Sequence, residues 1–285
     1  MTRTASQQRP PTVPRRRAGL RWSLASVALV IVVATLFDFG SATVAEYRLS
    51  RTIRAAAGFQ TDPEVTIAGF PFVTAARDGR YRRVSIAVPN VGVGDGRVAQ
   101  LEAELHDVHL PAGTHLVSAD TPLHVAVIDA RVRLAQKDFG RLLGIVDVQV
   151  HTPVPGNVAG AGGPADGLVK SATGVILTGE IPLPTPTDPR RTVTVSVSCD
   201  FSAVNNAVSV RATRIYTGPE DHATAHLLPG DIPRVLAAFT KTLPPMRLPF
   251  GLTATGAEGE NADVVLLGSA RDTTVTPAAF YRVGP

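Results

Sequence analysis

The sequence has little cysteine and few aromatic residues. Cys199 is the single cysteine in 285 residues, which excludes an internal disulfide, a cysteine-rich scaffold and a cysteine-based zinc cluster. Aromatic residues make up 5% of the chain, and they are too few and too scattered to form the base-stacking surface of a nucleic-acid-binding protein. The sequence therefore predicts no nucleic-acid partner.

Acidic residues are absent from the first 37 positions. The same segment holds six arginines, which are Arg3, Arg9, Arg15, Arg16, Arg17 and Arg21. The whole chain has a formal net charge of +4, but the remaining residues carry 22 basic against 24 acidic side chains, a net charge of −2. The excess positive charge thus belongs to the N-terminal segment and indicates nothing about a ligand of the folded part.

An uncharged apolar run follows the arginines, from Trp22 to Phe37. About 20 apolar residues are needed to span a bilayer, so the run fits a short transmembrane helix or the core of a signal peptide. The preceding arginines predict that residues 1–21 form a basic cytoplasmic tail, 22–39 a signal anchor or signal peptide, and 43–285 an extracytoplasmic domain. We favour an uncleaved, single-pass anchor in the cell membrane. Cleavage near Ala45 would instead release the domain into the periplasmic space.

The exported part begins with a predicted helix over 43–58, stopped by Gly58, and continues with strands. In the helix, arginines 48, 51 and 54 oppose Val44, Leu49, Ile53 and Ala56. After Pro63, apolar residues alternate with polar ones, as in half-buried antiparallel strands. The alternating apolar sets are Val84, Ile86, Val88; Leu101, Ala103, Leu105; Ala126, Ile128, Ala130, Val132, Leu134; Val193, Val195, Val197, Cys199; and Val204, Val208, Val210, Ala212.

Short helices are predicted at Gln136–Leu143 and at 232–242, the second capped by Asp231. The glycines between 92 and 96 indicate a turn between strands rather than a phosphate loop, because no helix opens after them. The Gly-rich segment 156–167 is interpreted as a flexible connection within one domain. The predicted fold class is α+β, with a mostly antiparallel, curved sheet and a few packing helices around an apolar groove.

Residues typical of catalytic and metal centres form no convincing cluster. The sequence contains no Gly-x-Ser-x-Gly motif. His106 and His109 lie three apart on a strand and point to opposite faces, whereas His222 and His226 would converge only on a helix. We therefore predict no catalytic residue, no metal and no cofactor.

Two short motifs combine phenylalanine with proline. Gly69-Phe70-Pro71-Phe72 lies near the start of the exported part, and Leu248-Pro249-Phe250-Gly251-Leu252 lies near its end. Pro71 restricts the backbone between two rings. The rings of Phe70, Phe72 and Phe250 either plug the ends of a sheet core or line the mouth of an apolar groove. In the second case, an aliphatic sheet face with few aromatics leaves room for acyl chains.

These motifs carry a family resemblance. A helix with Glu46, the stretch from Val65 to Thr74, the sequence Asp78-Gly79-Arg80-Tyr81 and the closing Leu-Pro-Phe-Gly-Leu motif resemble the LmeA-like phospholipid-binding family of the actinobacterial cell envelope. The resemblance runs from about Ala45 to Val275. It implies a non-catalytic phospholipid-binding protein with a fold similar to the bactericidal permeability-increasing proteins, connected with mannan or lipomannan elongation. The Gly-rich segment departs from the family's compact pattern.

If the resemblance holds, the lipid is a phospholipid, of which a phosphatidylinositol type is one candidate. Phe70, Pro71, Phe72 and Phe250 are then the expected rim or lining residues, and three arginines, Arg80, Arg82 and Arg83, are candidate contacts for the headgroup phosphate. Two alternatives stay open. The first is an envelope scaffold that binds a still unknown protein partner, such as a membrane enzyme, and has no lipid cavity. The second is a lipid or glycan hydrolase.

Overall fold

The computed structural model describes residues 16–111, 117–152, 170–204, 207–217 and 227–281. These residues form four helices, twelve strands and two 3₁₀ turns, at Pro249–Gly251 and Pro277–Ala279. The helices are α1 (Arg16–Ala57), α2 (Phe72–Asp78), α3 (Gln136–Leu143) and α4 (Ile232–Phe239). The strands are β1 (Glu64–Ala68), β2 (Arg80–Gly92), β3 (Val98–His109), β4 (Leu123–Ala135), β5 (Val146–His151), β6 (Lys170–Ser171), β7 (Val175–Pro182), β8 (Thr192–Val204), β9 (Ala207–Ile215), β10 (Lys241–Thr242), β11 (Gly256–Glu260) and β12 (Asp263–Val275).

Two open antiparallel sheets confirm the predicted α+β class. The first sheet has seven strands in the order β1-β2-β3-β4-β12-β11-β6, and the second has five in the order β10-β9-β8-β7-β5. The predicted alternation holds in the first sheet, where Val84, Ile86 and Val88 of β2 are buried and face the interior. The sheets meet where Gly259 of β11 leaves room for the side chain of Val175 of β7.

The second sheet has a more deeply buried centre than the sequence indicates. Val193, Val195, Val197 and Cys199 are buried as predicted. Ser196 and Ser198, predicted to lie on a wet face, are buried as well, and this part of the prediction is wrong. The hydroxyls of Ser196 and Thr178 share a hydrogen bond of 2.6 Å, so burying them leaves neither one unpaired.

Three of the predicted local elements can be compared directly with the structure. Helix α3 begins and ends where the sequence predicts, whereas α4 stops at Phe239 because Lys241–Thr242 pairs with β9 as strand β10. Asp231 occupies the N-cap position of α4 as predicted, but its carboxylate accepts a hydrogen bond from the Leu228 N–H and none from an N–H of the helix. The Gly-rich segment 156–167 and the histidines at 222 and 226 lie outside the described residues.

Helix α1 is one continuous element of 42 residues that joins the apolar run to the folded part. The helix predicted for 43–58 is its C-terminal end, and Gly58 terminates it with a φ of 72°. The side chains from Leu24 to Phe37 are almost all exposed, whereas Leu49, Ile53 and Ala57 are buried against the first sheet. One helix thus has an uncovered apolar half and a half that is integral to the fold.

Candidate functional site

A cavity of about 500 Å³ lies between the C-terminal half of α1, helix α2 and the inner face of the first sheet. Its floor is aliphatic and is formed by Val84, Ile86, Leu105, Val108 and Leu123. Ligand pockets commonly have volumes of roughly 300–1,000 Å³ and mostly apolar walls. The cavity therefore has the size and the chemistry of a site for an apolar ligand.

The cavity exists because α1 and α2 present small side chains to the sheet. Ser41 and Ala45 of α1 and Ala76 of α2 are the small lining residues, and the larger, buried Leu49 and Ile53 line the cavity further along α1. Helices pack about 8–10 Å from their neighbours, and short side chains on the facing surface leave the intervening volume empty. The local sequence of α1 thus determines where the core ends and the cavity begins.

Three hydrogen bonds fasten α1 to the segment that encloses the cavity. The buried Asp38 carboxylate accepts from the backbone N–H groups of Phe72 and Val73, both at 2.8 Å. These are among the first N–H groups of α2, which have no partner within the helix. Further along α1, the Glu46 carboxylate accepts from the N–H of Ile67 in edge strand β1 at 2.7 Å. The position of α2 therefore depends on a residue at the end of the apolar run.

The two proline motifs converge only in part. Phe72 is buried, lies 6.1 Å from the ring of Tyr81 between centroids, and lines the cavity. Phe250 is half-buried, lines the same cavity and packs edge-on against Phe280 at 5.3 Å. Phe70 and Pro71 lie outside the lining, and Phe70 is 68% exposed. The structure thus brings together one ring from each motif.

The cations at the cavity differ from those named from the sequence. Arg80, Arg82 and Arg83 are exposed on β2 and do not line it, and Arg83 pairs with Glu104 at 3.3 Å. Arg48 of α1 and Arg77 of α2 line it instead. Arg48 belongs to the arginine stripe noted in the sequence, but the stripe alone does not indicate which of its members faces a cavity. The position of Arg77, one turn after the lining residue Val73 in α2, is a local signal that sequence reasoning missed.

The lining has no acid–base pair among the described residues. It contains no aspartate, glutamate or histidine. Its phenol belongs to Tyr81, whose pKa is raised by burial, so this group stays neutral at physiological pH. General acid–base catalysis needs a group that titrates near the working pH. The described lining can hold and orient an apolar molecule with an anionic end, and its charged side chains are those of Arg48 and Arg77.

Outside the cavity, the described residues contain no cluster of three or more histidine, cysteine, aspartate or glutamate side chains that could hold a metal. His106 lies 3.6 Å from Asp129 and 3.8 Å from Glu104, which gives it carboxylate neighbours on an exposed sheet face. Among the described residues, these neighbours therefore give no candidate metal site.

Comparison with known proteins gives one match. No curated protein and no solved structure matches the chain significantly. A model of the LmeA-like phospholipid-binding family matches residues 36–269, close to the extent of the resemblance that the motifs suggest. The match includes the α1 residues that line the cavity, helix α2 and the motif around Phe250. The chain belongs to the LmeA-like phospholipid-binding family.

Proposed function

We propose that the protein is a membrane-anchored, non-catalytic phospholipid-binding protein of the cell envelope, which holds acyl chains in the cavity beneath α1. The observation that carries this proposal is the aliphatic cavity of about 500 Å³ in a chain of a phospholipid-binding family. Each methylene that leaves water for such a site contributes about 0.8 kcal/mol to binding. A buried acyl segment of several carbons would therefore hold a lipid firmly.

The headgroup would lie at the rim, next to Arg48 and Arg77. A guanidinium can donate two parallel hydrogen bonds to a phosphate, and the rim has no described carboxylate that would repel the anion. Arg80, Arg82 and Arg83, the candidates from the sequence, are exposed on β2 and would be secondary contacts on the outer surface. The proposal extends to a phosphatidylinositol type of lipid, whose phosphate these arginines would contact, and to a supporting role in mannan or lipomannan assembly.

The anchor would be retained in the mature protein. Within the part of the chain that the structure describes, one helix is long and apolar enough to cross a membrane. Cleavage after Ala45 would remove Asp38, which holds the start of α2, together with the lining residues Ser41, Val44 and Ala45. The arginines before Trp22 favour a cytoplasmic N-terminus and an extracytoplasmic domain. The mass of the native protein extracted from membranes tests this point: we expect the uncleaved chain, and a chain beginning after Ala45 would contradict it.

A second candidate function is a scaffold that binds another envelope protein through an exposed edge. Strand β1 is an edge of the first sheet, which is the feature that favours this alternative. The Glu46 carboxylate already occupies the N–H of Ile67 on that edge, which reduces its capacity to pair with another strand. The lipid-binding proposal is therefore the stronger of the two.

Lipid uptake tests the proposal directly. The full-length protein in mild detergent is mixed with vesicles that contain radiolabelled phosphatidylinositol, and is then recovered on an affinity resin and washed. We expect labelled lipid to saturate at about one molecule per chain, because one cavity of this size accommodates one lipid. No retained label, together with capture of a single envelope protein in native membranes, would overturn the proposal in favour of the scaffold.

A further inference from the structure

An aromatic pair projects from the protein at the point where the apolar run ends. Phe39 of α1 is 62% exposed and Phe70 is 68% exposed, and their rings lie 6.3 Å apart between centroids. They come from positions 31 residues apart in the chain and together form one apolar projection, here called the aromatic wedge. Large exposed apolar side chains are costly in water when they form a contiguous surface, as these two rings do.

The length of the apolar run determines where the membrane surface would lie. Sixteen helical residues from Trp22 to Phe37 span about 24 Å, whereas the hydrocarbon core is about 30 Å thick. Arg21 precedes Trp22, and its charge opposes a shift of the helix that would draw the N-terminal end of the run into the hydrocarbon. About four further residues must therefore enter the hydrocarbon on the C-terminal side, so that its boundary lies near Ser41.

Asp38 would then lie at the level of the membrane, and its environment suits that position. A carboxylate at this depth needs partners within the protein. Asp38 is only 6% exposed, and both of its oxygens accept backbone hydrogen bonds at the start of α2. The hydroxyl of Ser41 donates to the Phe37 carbonyl at 2.8 Å and is likewise satisfied within the helix. These polar groups at the end of the run thus have hydrogen-bond partners within the protein and can lie in an apolar environment.

From these observations we propose that the aromatic wedge is inserted into the outer leaflet of the membrane that α1 crosses, and that the cavity opens sideways into that leaflet. Asp38 joins α1 to α2, so Phe70 is held at the same depth as Phe39. The lining residues Ser41 and Val73 lie next to this level. A phospholipid can then move its acyl chains from the leaflet into the cavity without exposing them to water, while Arg77 lies at the height of the headgroups. This inference rests on the anchored arrangement proposed above.

Fluorescence quenching by brominated lipids tests the insertion. Trp22 is the single tryptophan, so Phe70→Trp in a Trp22→Phe background gives a unique probe. The matched control is Val146→Trp in the same background, because Val146 is also exposed, at 63%, but belongs to the second sheet. The full-length variants are reconstituted into vesicles of phosphatidylcholine brominated at a shallow acyl position. We expect the probe at position 70 to lose most of its fluorescence and the control to lose little.

Lipid inside the cavity could also quench a nearby probe, and a third variant separates the two cases. Adding Ala45→Phe fills the cavity, so quenching at position 70 that persists in this background comes from the leaflet. Quenching no stronger than at position 146, or quenching that disappears with Ala45→Phe, would overturn the inference. If the tryptophan at position 70 is protected from aqueous iodide but is not quenched by brominated lipid, the inference is also overturned. That result would indicate that another protein covers the wedge.

The rate of lipid uptake gives a second readout. Phe70→Ser removes one inserted ring, and we expect loading from the leaflet to slow by about tenfold while the final lipid content stays unchanged. An unchanged rate would contradict access through the wedge. If the wild-type protein takes up no lipid although position 70 is quenched, the proposed function fails and the insertion stands. If lipid is bound without quenching, the insertion fails and the proposed function stands.

Discussion

The two sheets differ in how completely their faces are filled. Beneath α3 and α4, the second sheet packs around Phe139, Phe201 and Phe239, all of them buried, with Phe139 and Phe201 in edge-to-face contact at 6.0 Å. Beneath α1, the first sheet meets small side chains and keeps a cavity of about 500 Å³. The interior around these three rings is filled, and this part is here called the solid half; the part beneath α1 that contains the cavity is called the hollow half. We interpret the solid half as a source of stability and the hollow half as the lipid site, at some cost in packing.

Filling the hollow half is expected to have the largest effect. Ala45→Phe places a ring in the cavity and should abolish uptake of labelled phospholipid, since the volume for acyl chains is lost. The free energy of unfolding should change by less than about 1 kcal/mol, because the ring enters empty space rather than a packed core. Uptake and denaturant unfolding are measured on the same preparation.

The control for this variant is Ala55→Phe, which adds the same ring to an exposed position of α1. It should bind lipid as the wild type does. Normal uptake by Ala45→Phe, or equal loss in both variants, would show that the cavity is not the lipid site.

Overpacking the solid half should lower the stability of the protein and leave lipid binding unchanged. In Gly179→Ala, the added methyl would lie 2.7 Å from the Ile145 γ2 carbon, which is fixed to a branched side chain and cannot swing away. Such overpacking costs about 1–3 kcal/mol of stability. We expect a lower denaturation midpoint and unchanged lipid binding at temperatures where the variant is folded. Gly92→Ala, where the methyl meets nothing within 4 Å, is the matched control and should be near neutral.

The rim arginines should have a smaller effect that appears in selectivity. Arg48→Gln and Arg77→Gln remove charges at the opening of the cavity, and an exposed ion pair contributes about 1 kcal/mol at most. We expect about a fivefold loss in preference for anionic over zwitterionic phospholipid, measured by competition between the two lipids. Arg82→Gln, on the outer surface of β2, serves as the comparison. A larger loss of preference in Arg82→Gln would indicate that the headgroup binds at Arg80, Arg82 and Arg83, as predicted from the sequence.

The smallest expected effect is on the pH dependence of stability. It comes from Glu260 of β11, which does not line the cavity. Burial opposes ionisation of Glu260, but the hydrogen bonds and charges of Arg133 and Lys170 outweigh it and lower the pKa of this carboxyl. A lowered pKa in the folded state stabilises the fold above the ordinary glutamate pKa, and this contribution is lost as the pH falls through the folded value. We expect Glu260→Gln to be slightly less stable at neutral pH and to lose less stability than the wild type on acidification.

The corresponding measurement for the hollow half is the amount of bound lipid as a function of pH. The described lining has no carboxyl or imidazole group, so the amount of bound lipid should stay constant between about pH 5 and pH 8. A bell-shaped dependence in that interval would contradict the assignment of a non-titrating site.

Local patterns in the sequence predict local structure well in this chain. The alternation from Val193 to Cys199 identifies a strand because its period is a property of adjacent residues. The end of α4 was missed because Lys241–Thr242 pairs with Val210 and Ser209, some thirty residues earlier, and no local pattern records that partner. Likewise, the sequence shows that the apolar run ends before Asp38, but it does not show that the Asp38 carboxylate accepts hydrogen bonds from the N–H groups of residues 72 and 73.

The site shows the same limit. The two phenylalanine motifs could be recognised, and one ring from each lines the cavity. Which arginines approach it could not be predicted, since that depends on how α1 crosses the sheet and on the rotation of its surface. Arg48 and Arg77 lie 29 residues apart, and both line the cavity because Asp38 and Glu46 fix α1 against the segment from β1 to α2.

The most direct test of the central claim, that the cavity beneath α1 holds a phospholipid, is mass spectrometry of the organic extract of the full-length protein purified from its native membrane. Lipids that merely surround the anchor are measured by extracting Ala45→Phe in the same way. The account predicts about one additional phospholipid per wild-type chain, since one cavity accommodates one lipid. Equal lipid in the two extracts would contradict it.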